Sequence, residues 1–158
     1  MTTIYKTLKK DHEKHRELLA KIAETSGDSP ERRELYSKFF YDVSAHAAAE
    51  EEAFYSPLME TADGQPEARH SVAEHKELDD IMKELMQMDM SSPGWFTRFK
   101  TLKHDYEHHM EEEENEIFEQ ARESIGGDKD GEIAETFIDR KAAERKLVDE
   151  KAEEALQH

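Results

Sequence analysis

The chain has 158 residues, no cysteine, 35% apolar and 39% charged residues, and a formal net charge of −17. The length suits one compact domain, and the missing cysteines exclude disulfides and thiolate metal sites. The charge disfavours nucleic acid and anionic membrane surfaces as partners and makes cations the natural counter-species.

So polar a composition would permit disorder, but the hydrophobic residues recur with helical periodicity. The first predicted helix covers about 3 to 25, with Ile4, Leu8, His12, His15, Leu19 and Ile22 on one stripe. Ser26 to Pro30 is a turn, and Pro30 suits the first position of the next helix. That second helix runs from about 31 to 61, with Leu35, Phe39, Val43, His46, Glu50 and Phe54 inward. Pro57 is expected to kink or end it, because proline lacks an amide donor.

After the break at Asp63 to Pro66, a third helix covers about 67 to 89, with Val72, His75, Leu78, Met82 and Leu85 inward. Met90 to Gly94 ends it. The fourth helix spans about 95 to 124, with Phe99, Leu102, Tyr106, His109, Glu113 and Ile117 inward. Gly126 to Gly131 forms the last break. A weaker stripe over about 132 to 156 carries Ile133, Phe137, Leu147 and Leu156. Three roles fit it: covering the bundle, pairing with another chain, or fraying. Strand signals are absent. The expected fold is all-α, an antiparallel four-helix bundle over 1–124 with an additional C-terminal helix in 125–158.

The chemistry lies in a repeat. His46-Ala-Ala-Ala-Glu50 recurs as His109-Met-Glu-Glu-Glu113, 63 residues later. His12 and His75 stand at the same offset, each preceded by an acid, Asp11 and Glu74. Ser29-Pro30 and Ser92-Pro93 share that register. The chain therefore reads as two similar helical hairpins, and similarity at one fixed offset is a strong organising signal. Residues four apart on a helix stand one above the other, so each His-x-x-x-Glu presents an imidazole and a carboxylate together.

One inward histidine is ordinarily a satisfied core residue. Four, one per helix at a repeated spacing, with two inward carboxylates that would be costly to bury alone, point to two metal ions. The expected ligands are His12, His46, Glu50, His75, His109 and Glu113. The runs Glu50 to Glu52 and Glu111 to Glu114 are expected to be mostly solvated, one carboxylate of each turning inward, with Glu114 the substitute if the helix phase differs. His104 and His108 fall on the outer side of helix four. His15 and His70 are expected beside the site or at the surface. Imidazole and carboxylate without thiolate suit iron, with manganese and zinc compatible; calcium would want more oxygen ligands.

These motifs resemble the hemerythrin family, in particular its bacterial HHE cation-binding branch: Asp11-His12, His46-x-x-x-Glu50 with Phe54-Tyr55, Glu74-His75, and His108-His109 leading to Glu113-Glu114 and Phe118. The resemblance covers about residues 5 to 120. It implies an up-down-up-down bundle around an oxo- or hydroxo-bridged pair of iron ions. By position, the four histidines would be terminal ligands and Glu50 and Glu113 bridging ones. Oxygen-carrying members have a further histidine where Ser71 stands here, and their last carboxylate lies five residues after its histidine instead of four. Both departures favour redox chemistry with dioxygen, hydrogen peroxide or nitric oxide, of oxidase or catalase type, over reversible oxygen carriage. Oxygen binding, sensing or storage, and a purely structural metal bundle, are the competing readings. Small molecules are the expected partners, with no nucleic acid or membrane, in a cytoplasmic monomer or weak homodimer.

Overall fold

A computed structural model describes residues 3 to 157 along the backbone and 3 to 147 with their side chains. No strand occurs among the described residues. Helix α1 is Ile4–Ala23 and α2 is Pro30–Glu50. A π-helical turn, Glu51–Tyr55, leads from α2 into the short α3, Ser56–Met59. Then come α4, Gln65–Gln87, and α5, Pro93–Glu112. A second π-helical turn, Glu113–Ile117, leads into α6, Phe118–Ile125, and α7 is Asp130–Gln157. These make five helical rods, four of them at the positions expected of the repeat.

The starts follow from local chemistry. Thr3, Ser29 and Ser92 adopt extended backbone, and their hydroxyls accept from the amides of Lys6, Arg32 and Trp95. Each hydroxyl satisfies a donor that the first helical turn leaves unpaired. Pro30 and Pro93 open α2 and α5, where their missing amide costs nothing. At the end of α6, Gly126 has φ 84°, a left-handed conformation that stops the helix and suits glycine. Pro57 does not stop the second rod; it falls in the first turn of α3, just past the π-helical turn. Extra-residue turns of this kind are concentrated at functional sites.

Packing separates the core into two apolar clusters. One joins Ile4, Leu8, Phe54, Leu58, Phe118 and Phe137. The other joins Leu19, Ile22, Phe39, Leu85, Trp95 and Phe99. Each fully buried side chain of this size contributes about 2 kcal/mol of transfer free energy. At the far end of the second cluster, Arg32 donates to Thr25 Oγ1, the Thr25 carbonyl and the Met90 carbonyl, and its guanidinium lies 4.7 Å over the Trp95 ring. Between the two clusters lies a polar layer built from α1, α2, α4, α5 and the start of the second π-helical turn. The C-terminal rod covers one side of it: Ile133, Ala134 and Phe137 are buried, and the Phe137 ring lies 5.4 Å from that of His46. The stripe does not continue along α7, since Leu147 is 47% exposed. Leu156 lies outside the residues whose side chains are described.

Candidate metal centre

All six residues expected to hold metal meet in the polar layer. His12, His46, Glu50, His109 and Glu113 are buried, and the His75 side chain is 8% exposed. They fall into two groups of four: His12, His46, Glu50 and Glu113, and His75, His109, Glu50 and Glu113. Both groups contain both carboxylates.

The oxygens divide between the groups. His46 Nε2 faces Glu50 Oε2 at 3.5 Å, and His75 Nε2 faces Glu50 Oε1 at 3.1 Å. His12 Nε2 faces Glu113 Oε1 at 3.1 Å, and His109 Nε2 faces Glu113 Oε2 at 3.2 Å. Ligand atoms each about 2.1 Å from one ion stand about 3 Å apart when adjacent. The set is built to receive something. His12 Nε2, both Glu50 oxygens and Glu113 Oε1 are buried without a hydrogen-bond partner, although buried polar atoms are ordinarily paired.

The other ring nitrogen of every histidine is held by a carboxylate. Asp11 Oδ2 lies 2.8 Å from His46 Nδ1, and Glu74 Oε1 lies 3.0 Å from His109 Nδ1. Glu114 Oε2 lies 3.0 Å from His12 Nδ1, and Glu51 Oε1 lies 3.0 Å from His75 Nδ1. The four carboxylates obey the 63-residue offset as strictly as the histidines. An Nδ1–H donated to a carboxylate leaves the Nε2 lone pair for a metal and makes it more basic.

Two expectations are corrected here. Glu51 and Glu114 are not simply solvated, because each turns to orient an imidazole. Glu114 is not a substitute for Glu113: its Oε2 is taken by His12 and Arg16. The Tyr55 hydroxyl donates to Glu113 Oε2; the 63-residue offset does not mark Tyr55 as a site residue, because its counterpart is Phe118. His15 is fully buried beside the site. Its Nε2–H donates to Asp42 Oδ2 at 2.6 Å, and its Nδ1 accepts from the Tyr106 hydroxyl at 2.7 Å. His104 and His108 are exposed, and His70 is 53% exposed.

Without an ion, the layer holds together through charge. Burial pulls His46, His75 and His109 down, but the facing carboxylates outweigh it and hold the first two up to about 9 and His109 up to about 10. Burial pushes Glu113 up, and His109 and His12 more than reverse it, so it stays ionised. Burial dominates at His15 and lowers it to about 4 despite Asp42. His15 is therefore neutral at pH 7.

The Hemerythrin HHE cation binding domain pattern matches residues 3–121. The chain belongs to the hemerythrin HHE family. The structure is also similar to a crystal structure of a hemerythrin HHE cation-binding domain-containing protein from Mycobacterium kansasii, with a TM-score of 0.82 and 25% identity, covering 93% of this chain and 90% of that one. A curated relative, a DNA nickase from Nostoc sp., is 25% identical over 144 residues. That match takes in 91% of this chain but 40% of the relative's length. Membership of a cation-binding family agrees with the buried His/Glu groups. No helix among the described residues of this HHE protein is long and apolar enough to cross a membrane.

Proposed function

We propose that this HHE protein holds two iron ions in an antiparallel, up-down-up-down bundle and reacts with dioxygen, hydrogen peroxide or nitric oxide. The observation that carries this is the pair of four-residue ligand groups sharing both carboxylates. His12 and His46 would hold one ion, His75 and His109 the other, and Glu50 and Glu113 both. All-nitrogen-and-oxygen donors suit iron, with manganese and zinc compatible. A bound iron pair supplies redox chemistry and shares the charge of a small oxidant between two centres.

The surrounding residues favour chemistry over a purely structural role. A cavity of about 380 Å³ opens between α2 and α4 and reaches His46, His75 and His109. Its walls combine Val43, Val72, Leu78 and Met82 with Glu51, Lys76 and Asp79, a mostly apolar passage with a few polar groups that has room for a small molecule. Tyr55 fixes Glu113 from inside the core. Tyr106, His15 and Asp42 form a hydrogen-bonded chain beside the centre, and neutral His15 holds its proton on Nε2 toward Asp42. Ser71 is fully buried where oxygen-carrying relatives would offer an imidazole, which favours turnover over protected, reversible oxygen binding.

The DNA nicking named for the Nostoc relative is not extended to this chain. A net charge of −17 repels a phosphate backbone, and most of that relative lies outside the match. The testing experiment is metal analysis of protein from iron-supplied cells, followed by stopped-flow mixing of the reduced protein with oxygen or peroxide. Two irons per chain and rapid oxidation are expected. A folded sample with fewer than two metal ions, or a reduced form indifferent to both oxidants, rejects the proposal.

A further inference from the structure

A second group of metal-type donors lies on the outside of the bundle, where α4 meets α5. His70 Nε2 is 2.8 Å from Glu112 Oε1 and 3.4 Å from Glu74 Oε1. The three residues bring one ligand atom each to within 4.8 Å of one another. His108, one turn before Glu112, puts its Nδ1 3.8 Å from Glu112 Oε2. One imidazole and two carboxylates from two rigid helices converge as a donor set for a divalent cation, with the His108 imidazole at its edge, as exposed ion pairs alone would not.

What gives the group a direction is Glu74. The same oxygen that faces His70, Oε1, is 3.0 Å from His109 Nδ1. A cavity of about 290 Å³ between α4 and α5 runs beside it, lined by Glu74, Glu77, His104, Asp105 and His108 and reaching His109. Donors thus continue from solvent to the edge of the buried centre.

The repeat supplies an independent comparison. Asp11 is the counterpart of Glu74, and it orients His46 as Glu74 orients His109. At Asp11, however, the outer position is filled by a cation belonging to the chain: Lys141 Nζ of α7 lies 2.9 Å from Asp11 Oδ2. The positions equivalent to His70, His108 and Glu112 are there Thr7, Ala45 and Ala49. One end of the centre is closed by a fixed ammonium. The other presents exchangeable donors where the ammonium would be.

We infer that His70, Glu74 and Glu112, with His108, form a surface site for a divalent cation through which metal is delivered to the buried centre. The site stands on its own geometry, and the delivery role rests on the two-metal reading above. No redox step is involved. The ion exchanges water and surface ligands for buried ones, and the protons it displaces leave through the same acidic cleft. A cleft lined by one sign of charge concentrates its counter-ion and speeds entry.

The test uses the whole 158-residue chain with both central positions filled. Added Mn²⁺ is followed by electron paramagnetic resonance, which separates free from bound ion. One further equivalent is expected to bind, and to be lost in the His70→Ala, Glu112→Gln double variant. Metal-free protein is then mixed with ferrous ion without oxygen. The double variant should load about tenfold more slowly yet finish with the same two ions. No further Mn²⁺ in the wild type, or equal Mn²⁺ binding in the variant, overturns the site. Lost Mn²⁺ binding with unchanged loading overturns the delivery role. A wild type that binds Mn²⁺ through His70 but never fills its centre rejects the two-metal reading and delivery together, while leaving the surface site in place.

Discussion

Asp11 Oδ2 receives the Nδ1–H of His46 at 2.8 Å, and the same oxygen is 2.9 Å from Lys141 Nζ. One carboxylate thereby orients a metal-binding imidazole and ties the C-terminal helix to the centre. Burial pushes Asp11 up, but His46 and Lys141 outweigh it and hold it at about 2. Asp11→Asn keeps the shape and removes the charge. It should weaken metal binding by about 10-fold to 100-fold while leaving the helical circular dichroism unchanged. Competition with a chelator measures this. Glu74→Gln, its repeat partner, should behave alike at His109.

Lys141 also approaches Asp42, as do Lys14 and Arg145. Asp42 is buried, so a missing cation is felt, but two other cations and the His15 N–H remain, and Lys141 is itself partly exposed. Lys141→Met should therefore cost about 1 kcal/mol, a fall of about 2 to 4 °C in Tm for a chain of this size. A Tm unchanged or higher would mean that α7 is held without any help from Lys141.

His109 and His108 are neighbours in sequence with opposite fates. His109 is 2% exposed and faces Glu113, whereas His108 points to solvent at 66%. His109→Ala should lose metal from the centre, and His108→Ala should retain both ions. Metal content after gel filtration decides. The reverse outcome would mean that α5 is rotated from the orientation described.

Metal removal and pH should interact in a defined way. In the metal-free protein, His46, His75 and His109 carry pKa values of about 9 to 10, above the unfolded value of about 6.5. Their stabilisation is complete below about pH 6.5 and is lost as pH rises through 9 to 10. Asp11 and Glu113 are depressed, so their contribution is present above about pH 4.5 and is lost on acidification. The metal-free protein should melt highest near pH 5 to 6 and markedly lower at pH 10. With metal on the Nε2 atoms, the alkaline loss should shrink and the whole curve should rise. Parallel curves for the two forms would argue against ligation by these imidazoles.

Much of this was legible in the sequence because the chain states its pattern twice. The inner faces of α1, α2 and α5 follow simple helical phase, and a 63-residue offset distinguishes His109 from His108 without coordinates. The same offset joins Glu51 to Glu114, so their shared role was available too; it was hidden because a charge run usually marks a solvated face. Other features lay beyond periodicity. A π-helical turn adds a residue that a 3.6-residue period does not register, so the direction of Tyr55 could not be phased. Asp42 becomes a hub only when α7 folds back across α1 and α2, a long-range packing event that a weak stripe compatible with covering the bundle, pairing or fraying does not single out.

The cavity between α2 and α4 gives the last prediction. Ala47 lines it. The counterpart of Ala47 is Met110, which is fully buried in the second apolar cluster. Ala47 thus puts a methyl group at the cavity wall where the second copy carries a long, buried side chain. Ala47→Met should narrow the cavity with a side chain the fold already accepts at the equivalent position. Ala47 is itself none of the six ligands, although the cavity it lines reaches His46, His75 and His109, so two ions per chain should still be held, and the helical content should be unchanged. Oxidation of the reduced protein by hydrogen peroxide should slow by about tenfold if the barrier to entry rises by about 1.4 kcal/mol. Stopped-flow rates on matched, fully loaded samples read this directly. An unchanged rate with full metal content would mean that the oxidant reaches the centre by another route, and the cavity would then be a packing defect.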